Sequence, residues 1–142
     1  MEWQPEYSVG IETIDRQHQE ILGYINQLTT ALDSGDRWHV SHYLLIQITD
    51  FIKVHFAVEE ALLEITRYPE LEPHRASHRE IVAHILSLQA KAVKEDISVE
   101  LVQFLRDWFI GHVLKSDKQY GYFFAEQQKH LVPPPAPDVC AA

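Results

Sequence analysis

Seven side chains suited to binding protons or metals fall inside otherwise apolar helical stripes: His18, His55, Glu59, His74, His78, His112 and Asp117. An imidazole or a carboxylate is costly to bury unless something binds it. A chain with seven such groups on inward faces must fold so that they meet, and must hold something for them there. At about 100° per residue, side chains four apart stand one above the other on one face of a helix. His55 and Glu59 have this spacing among Ile48, Ile52 and Leu62, and His74 and His78 have it among Ile81, Ile85 and Leu88. His18 lies between Ile14, Leu22 and Ile25, and His112 continues the row of Leu101, Leu105 and Trp108.

The apolar period is helical and strand-like alternation is absent. Residues 1–11 form an arm carrying Trp3, Tyr7, Val9 and Ile11. A first helix is expected from about Thr13 to Asp33, ending near Ser34-Gly35-Asp36. A second runs from about Arg37 to Ile65 and breaks at Arg67-Tyr68-Pro69-Glu70. The third starts close to Pro73, which a helix tolerates only in its first turn. Glu95-Asp96-Ile97-Ser98 interrupts, with Asp96 or Ser98 as the expected N-cap of a fourth helix that ends around Lys115. A short further helix is expected from about Asp117 to Gln128. Long amphipathic helices with short connections predict an all-α, up-down-up-down antiparallel four-helix bundle with an N-terminal arm and a short C-terminal helix. The bundle domain is placed at residues 1–130. Residues 131–142, with Val132-Pro133-Pro134-Pro135-Ala136-Pro137, are expected to be a disordered Pro-rich tail.

At 142 residues and 46% apolar, the chain is long enough for one domain with a sizeable core. A net charge of -9 argues against nucleic acid or an anionic membrane surface as partner. No apolar run reaches membrane-spanning length, so membrane insertion is not expected. One cysteine, Cys140, cannot make an internal disulfide, and the opening residues are not read as a secretory signal. The expected setting is the reducing cytoplasm. Short loops and polar outer faces are compatible with a monomer.

A single buried histidine is ordinarily a hydrogen-bonded core residue, and one isolated His-x-x-x-His pair is common on a wet helix face. That explanation does not extend to five inward histidines and an inward glutamate spread over four helices. A metal site does explain them, and the count suits two metals better than one. Asp117 is the awkward member, because five residues past His112 is about 140° round a regular helix. A bend or helix terminus is therefore expected between Leu114 and Ser116. His39, His42 and His130 lie near helix ends or the tail, and His84 is about 80° from His74, so all four are expected at the surface or boundary.

On these residues the chain resembles the hemerythrins, specifically the single-domain bacteriohemerythrins. The resemblance covers about residues 3–124. It rests on Trp3 and Tyr7, Val9-Gly10-Ile11, Ile14-Asp15-Arg16-Gln17-His18, His55-Phe56 with Glu59-Glu60, Tyr68-Pro69, His74-x-x-x-His78, and His112 followed five residues later by Asp117. It implies two iron ions with a bridging oxo or hydroxo group. His74, His78 and His112 would bind one iron, His18 and His55 the other, and Glu59 and Asp117 would bridge them. Counting positions on two six-coordinate irons then leaves one open, on the iron with two histidines, which suits a small diatomic. Histidine and carboxylate together suit iron without excluding zinc or manganese.

The resemblance implies reversible dioxygen binding, for storage, transport or delivery to oxygen-consuming enzymes, with no side chain required as a general acid. Phe56, Trp108, Phe109 and Ile110 are candidate walls of a dry pocket, from their proximity in sequence to ligands. Di-iron enzymes of the carboxylate-rich kind use paired Glu-x-x-His motifs. This chain has none; the nearest, Asp15-x-x-His18, puts Asp15 about 60° off the histidine, which suits a role behind the ligands or at the helix start. Binding is therefore favoured over catalysis. Oxygen, redox or nitric oxide sensing, an oxidase or peroxide-handling activity, and docking to an oxygen-consuming enzyme remain the alternatives.

Overall fold

The apolar stripes fold as helices that stack antiparallel around them. The structure, a computed structural model, describes residues 1–131. The chain makes a 3-10 turn at Pro5–Tyr7, then α1 (Glu12–Ala31), α2 (Arg37–Ile65), α3 (Leu71–Ala92), α4 (Ser98–Trp108), a π-helical stretch (Phe109–Ser116) and α5 (Asp117–Leu131). Helix α1 packs on α2 and α4, and α2 on α3 and α4. Ile21, Ile25, Leu28, Leu45, Ile48, Ile52, Leu101 and Leu105 are fully buried and fill the interior. At about 25 cal/mol per Å² such burial is the main force holding the helices together. Among the described residues no helix is long and apolar enough to cross a membrane. The expected tail falls almost wholly outside the described residues, and Leu131 is the last helical position.

Several boundaries differ from the sequence expectation. Helix α1 stops at Ala31, and Asp33 and Ser34 donate their N–H groups to Thr30 and Ala31 carbonyls in a tightened turn. Helix α3 starts two residues before Pro73, which occupies a first-turn position whose missing N–H costs nothing. Neither Asp96 nor Ser98 is the N-cap of α4; that position is Ile97. Asp96 nonetheless supplies the cap from one residue earlier, accepting the Ser98 N–H at 2.9 Å and the Arg37 Nε–H at 2.6 Å. The Ser98 hydroxyl bonds the same carboxylate. These bonds, then Arg37, bring the Asp96 carboxyl down to about 2. Toward its end α2 buries Leu63 rather than Leu62, which is half-buried against a small cluster of Val9, Ile14, Leu63 and Tyr120.

The α2–α3 break closes as a Schellman turn. Arg67 N–H donates to Glu64 O at 3.1 Å and Tyr68 N–H to Leu63 O at 2.9 Å, with Arg67 at φ 56°. A left-handed non-glycine residue carries a steric cost of about 1–2 kcal/mol. Arg67 is exposed. Arg67→Gly is therefore expected to raise Tm by a few degrees in thermal unfolding; an unchanged or lower Tm would show that the arginine makes an offsetting contact.

The arm is tied down rather than loose. The Met1 ammonium donates to Asn26 Oδ1 and Asn26 Nδ2 to Met1 O, both at 2.7 Å. Val9 N–H and the Ser8 hydroxyl donate to the Asp15 carboxylate at 2.8 and 2.5 Å. Asp15 thus ties the arm to α1; it does not cap the helix, whose N-cap is Ile11 with no side-chain bond.

Candidate metal centre

Glu59 and Asp117 stand at one end of the bundle, both with no exposed surface, and each divides its two oxygens between two sets of imidazoles. Glu59 Oε1 is 2.6 Å from His74 Nε2 and 3.1 Å from His78 Nε2. Glu59 Oε2 is 3.3 Å from His55 Nε2 and 3.8 Å from His18 Nε2. Asp117 Oδ1 is 3.2 Å from His74 Nε2 and 3.1 Å from His112 Nε2, while Oδ2 is 3.2 Å from His18 Nε2. All seven residues singled out in the sequence are buried and converge. They form two overlapping groups that share the carboxylates: His74, His78 and His112 on one side, His18 and His55 on the other.

The protein alone does not satisfy these atoms. Nε2 of His18, His55, His78 and His112 and both Asp117 oxygens are buried without a hydrogen-bond partner. Native interiors leave few such atoms. Neighbouring ligand atoms of a six-coordinate ion with bonds of about 2.1 Å lie about 3.0 Å apart, close to most of the nitrogen–oxygen separations here. The donor set fits two cations held side by side.

Each ligand pair owes its position to a local feature. His55–Glu59 and His74–His78 stand on inward faces near facing ends of α2 and α3, as the spacing of four predicts. His112 and Asp117 meet because the helix between them does not end but widens. The Asp117 N–H donates to the His112 carbonyl, an i→i+5 bond that brings residues five apart onto one face. The bend or helix terminus expected between Leu114 and Ser116 is not what the structure has: a π-helical stretch over Phe109–Ser116 reconciles the spacing and runs without a gap into α5. Ile110 lies two residues, about 200° of helix, from both Trp108 and His112 and faces outward, 45% exposed, so it is not a pocket wall. Phe56, Trp108 and Phe109 are buried beside the centre. The Phe56 ring lies flat on His78 at 3.7 Å, Trp108 is 6.1 Å from His112, and Phe109 is 6.5 Å from His18.

The outer nitrogens find partners that the sequence did not name. His55 Nδ1–H donates to Gln17 Oε1 at 2.7 Å, His78 Nδ1–H to Glu60 Oε2 at 3.2 Å, and His112 Nδ1 pairs with the Ser77 hydroxyl at 3.1 Å. Placing the proton on Nδ1 leaves the Nε2 lone pair free for the centre. Tyr120, fully buried, donates its hydroxyl to Glu59 Oε2 at 2.8 Å. Burial and then the Glu59 and Asp117 charges push that phenol well above its usual value. The signal for Tyr120 was its place three residues after Asp117 on a helix, hence near the same face. His84, His39 and His130 are exposed and His42 half-buried, all away from the centre as expected.

Without metal, protons take the cations' place. Burial alone would lower the His18 and His74 pKa values, but Asp117 and Glu59 outweigh it and bring both up to about 9. Burial likewise opposes ionisation of Glu59 and Asp117, yet the surrounding imidazoles hold both well below the usual carboxylate range. A raised histidine pKa contributes stability that is fully present below about 6.5 and is lost as pH rises through about 9. The metal-free protein should therefore lose thermal stability between pH 6.5 and 9, and metal uptake at neutral pH should release protons. Calorimetry in buffers of different ionisation enthalpy measures that release; uptake without it would show that the imidazoles are already neutral.

These features define a class: a helical bundle with a buried cluster of histidines and carboxylates able to hold metal. The chain belongs to the hemerythrin family. Residues 9–123 match the family's profile, the hemerythrin HHE cation binding domain. The chain is 32% identical over 120 residues to a bacteriohemerythrin of Stenotrophomonas maltophilia, covering 84% of this chain and 78% of that protein. It is 30% identical over 118 residues to a bacteriohemerythrin of Methylococcus capsulatus, covering 82% and 89%. A crystal structure of wild-type hemerythrin superposes with a TM-score of 0.79 at 28% identity, covering 86% of this chain and 95% of that one.

Proposed function

We propose that this chain binds dioxygen reversibly at a di-iron centre held by His74, His78 and His112 on one side, His18 and His55 on the other, with Glu59 and Asp117 bridging. The observation that carries this reading is the division of each carboxylate's two oxygens between a three-histidine group and a two-histidine group. The two-histidine side has fewer protein donors, so a small diatomic has its place there. Two irons, when bound, supply the electrons that reversible dioxygen binding draws on.

The chain's own residues do the rest. Phe56, Trp108 and Phe109 keep water from the imidazoles, and Gln17 holds His55 with its Nε2 turned inward. No buried general acid is needed for release, which fits a carrier rather than an enzyme. Residues 1–130 act as one unit, a monomer in the cytoplasm, delivering dioxygen to oxygen-consuming enzymes.

The test is to load the protein with ferrous iron under reduction and admit air. A charge-transfer colour that develops and is lost under vacuum, over repeated cycles, supports a carrier; rapid irreversible oxidation with peroxide release overturns it. His74→Ala should lower metal content and destabilise the bundle, because binding energy is part of folding energy, whereas His84→Ala, whose exposed ring stacks on Phe104, should leave two metals per chain. Metal analysis of the two purified variants decides this; iron loss in the second would mean the ligands are misassigned.

A further inference from the structure

Glu60 follows Glu59 directly, about 100° further round α2, so its carboxylate lies outside the centre that Glu59 enters. Its Oε2 accepts the His78 Nδ1–H at 3.2 Å, and its Oε1 is 3.3 Å from Arg75 Nε. Arg75 in turn donates to Glu72 at 2.8 Å and to Glu64 at 3.1 Å, so its guanidinium is fixed in place from α2 and α3 alike. The stacked Phe56 ring holds the His78 imidazole from a third direction. No other imidazole of the centre has a carboxylate on its outer nitrogen among the described residues. His55 has a neutral amide, His112 a hydroxyl, and His18 Nδ1 is buried with no partner.

That asymmetry has an electronic consequence. A carboxylate on Nδ1–H draws the proton outward and makes Nε2 a stronger donor to a metal. A stronger donor favours the higher charge on that metal. A guanidinium on the far carboxylate oxygen pulls charge back and weakens the same effect.

We propose that Glu60 is a positioning residue that raises the donor strength of His78, and that Arg75 limits it, so that this pair sets how readily the three-histidine metal is oxidised. The proposal rests on the dioxygen-binding reading above for its physiological meaning, but not for its test. The pair stands at the rim of a groove of about 410 Å³ between α2 and α3, and Glu60 and Arg75 keep 25% and 27% of their side-chain surface exposed. Each can therefore be changed without opening a cavity in the core.

The experiment compares Glu60→Gln and Arg75→Gln with the unmodified chain by two measurements: cobalt(II) affinity of the metal-free protein, and midpoint potential of the iron-loaded protein. Glu60→Gln should weaken cobalt binding about tenfold and raise the potential. Arg75→Gln should shift the potential the opposite way and leave cobalt binding equal or tighter. A purely structural role would weaken metal binding in both variants, because each loses an ion pair. Potentials that move in the same direction, or do not move, overturn the proposal. If Glu60→Gln does not fold, a lowered potential in Arg75→Gln alone still supports it, and an unchanged one still ends it. An unmodified chain that takes up cobalt but shows no reversible oxygenation removes the dioxygen reading while leaving the donor-strength test intact; one that takes up no metal removes both.

Discussion

Glu59→Gln should cut the bound metal from two ions per chain to fewer than one while leaving the bundle folded. Glutamine has nearly the same volume, so it opens no cavity among groups that are fully buried. What changes is charge and lone pairs. One of the two oxygens becomes an NH2 group that donates and cannot ligate. It would face either His74 and His78 or His55, His18 and Tyr120, and on each side it displaces a donor atom both groups rely on. Breaking a buried ion pair by removing one partner typically costs about 3–5 kcal/mol. Here the cost to the metal-free protein should be smaller, because the raised imidazoles can release their protons and become neutral. The metal-loaded protein loses more, since ligand occupancy at a hundredfold excess over Kd contributes about 2.7 kcal/mol per site. The gap in Tm between loaded and metal-free protein should therefore collapse in the variant. Metal analysis with paired melting curves reads both effects. Two tightly held metals in Glu59→Gln would remove the bridging role.

The metal-facing layer of this site could be read from residue spacing because its ligands obey helical periodicity. His55–Glu59 and His74–His78 repeat at four, and a group at that spacing among isoleucines and leucines can only point inward. The layer behind it obeys no such rule. Gln17, Ser77 and Glu60 meet His55, His112 and His78 across helix interfaces, at separations of 38, 35 and 18 residues. Which polar residue on a neighbouring helix lies opposite a given imidazole depends on axial register, and register is settled by packing of whole faces rather than by local pattern. Ile110 is a different kind of miss: its nearness to His112 in sequence promised a pocket wall, but two residues is about 200° round the helix, which turns it to solvent. His112 and Asp117 are the reverse case. Periodicity exposed the conflict between those two ligands, since a gap of five does not fit a regular helix. It could not say whether the chain would break or widen. Continuity into α5 decided for widening, and that continuity also delivers Tyr120 to Glu59.

Gly121→Ala should destabilise the protein, against the ordinary sign of that change inside a helix. In a helix interior alanine is favoured over glycine by about 0.5–1 kcal/mol. At this position, however, an added Cβ would lie 2.6 Å from the Val9 carbonyl oxygen and 3.2 Å from two further Val9 backbone atoms. Forced overpacking of this kind costs about 1–3 kcal/mol, so the clash outweighs the propensity gain. The arm cannot step aside cheaply. Val9 is buried, its N–H is bonded to Asp15, and the chain before it is anchored by Met1 on Asn26. A net loss of about 1–2 kcal/mol should appear as a Tm lower by several degrees. The effect should reach the metal centre, because the arm's Tyr7 packs edge-on against Phe109, whose ring lies beside His18. An arm lifted from α5 admits water on the two-histidine side and, on the proposed dioxygen-binding function, should shorten the life of the oxygenated protein. The cause can be isolated by repeating the substitution in a chain that begins after Gly10. With Val9 gone, the three closest contacts of the added methyl go with it, and Gly121→Ala should become neutral or stabilising there. Equal destabilisation in both chains would place the fault in α5 itself and not in the approach of the arm.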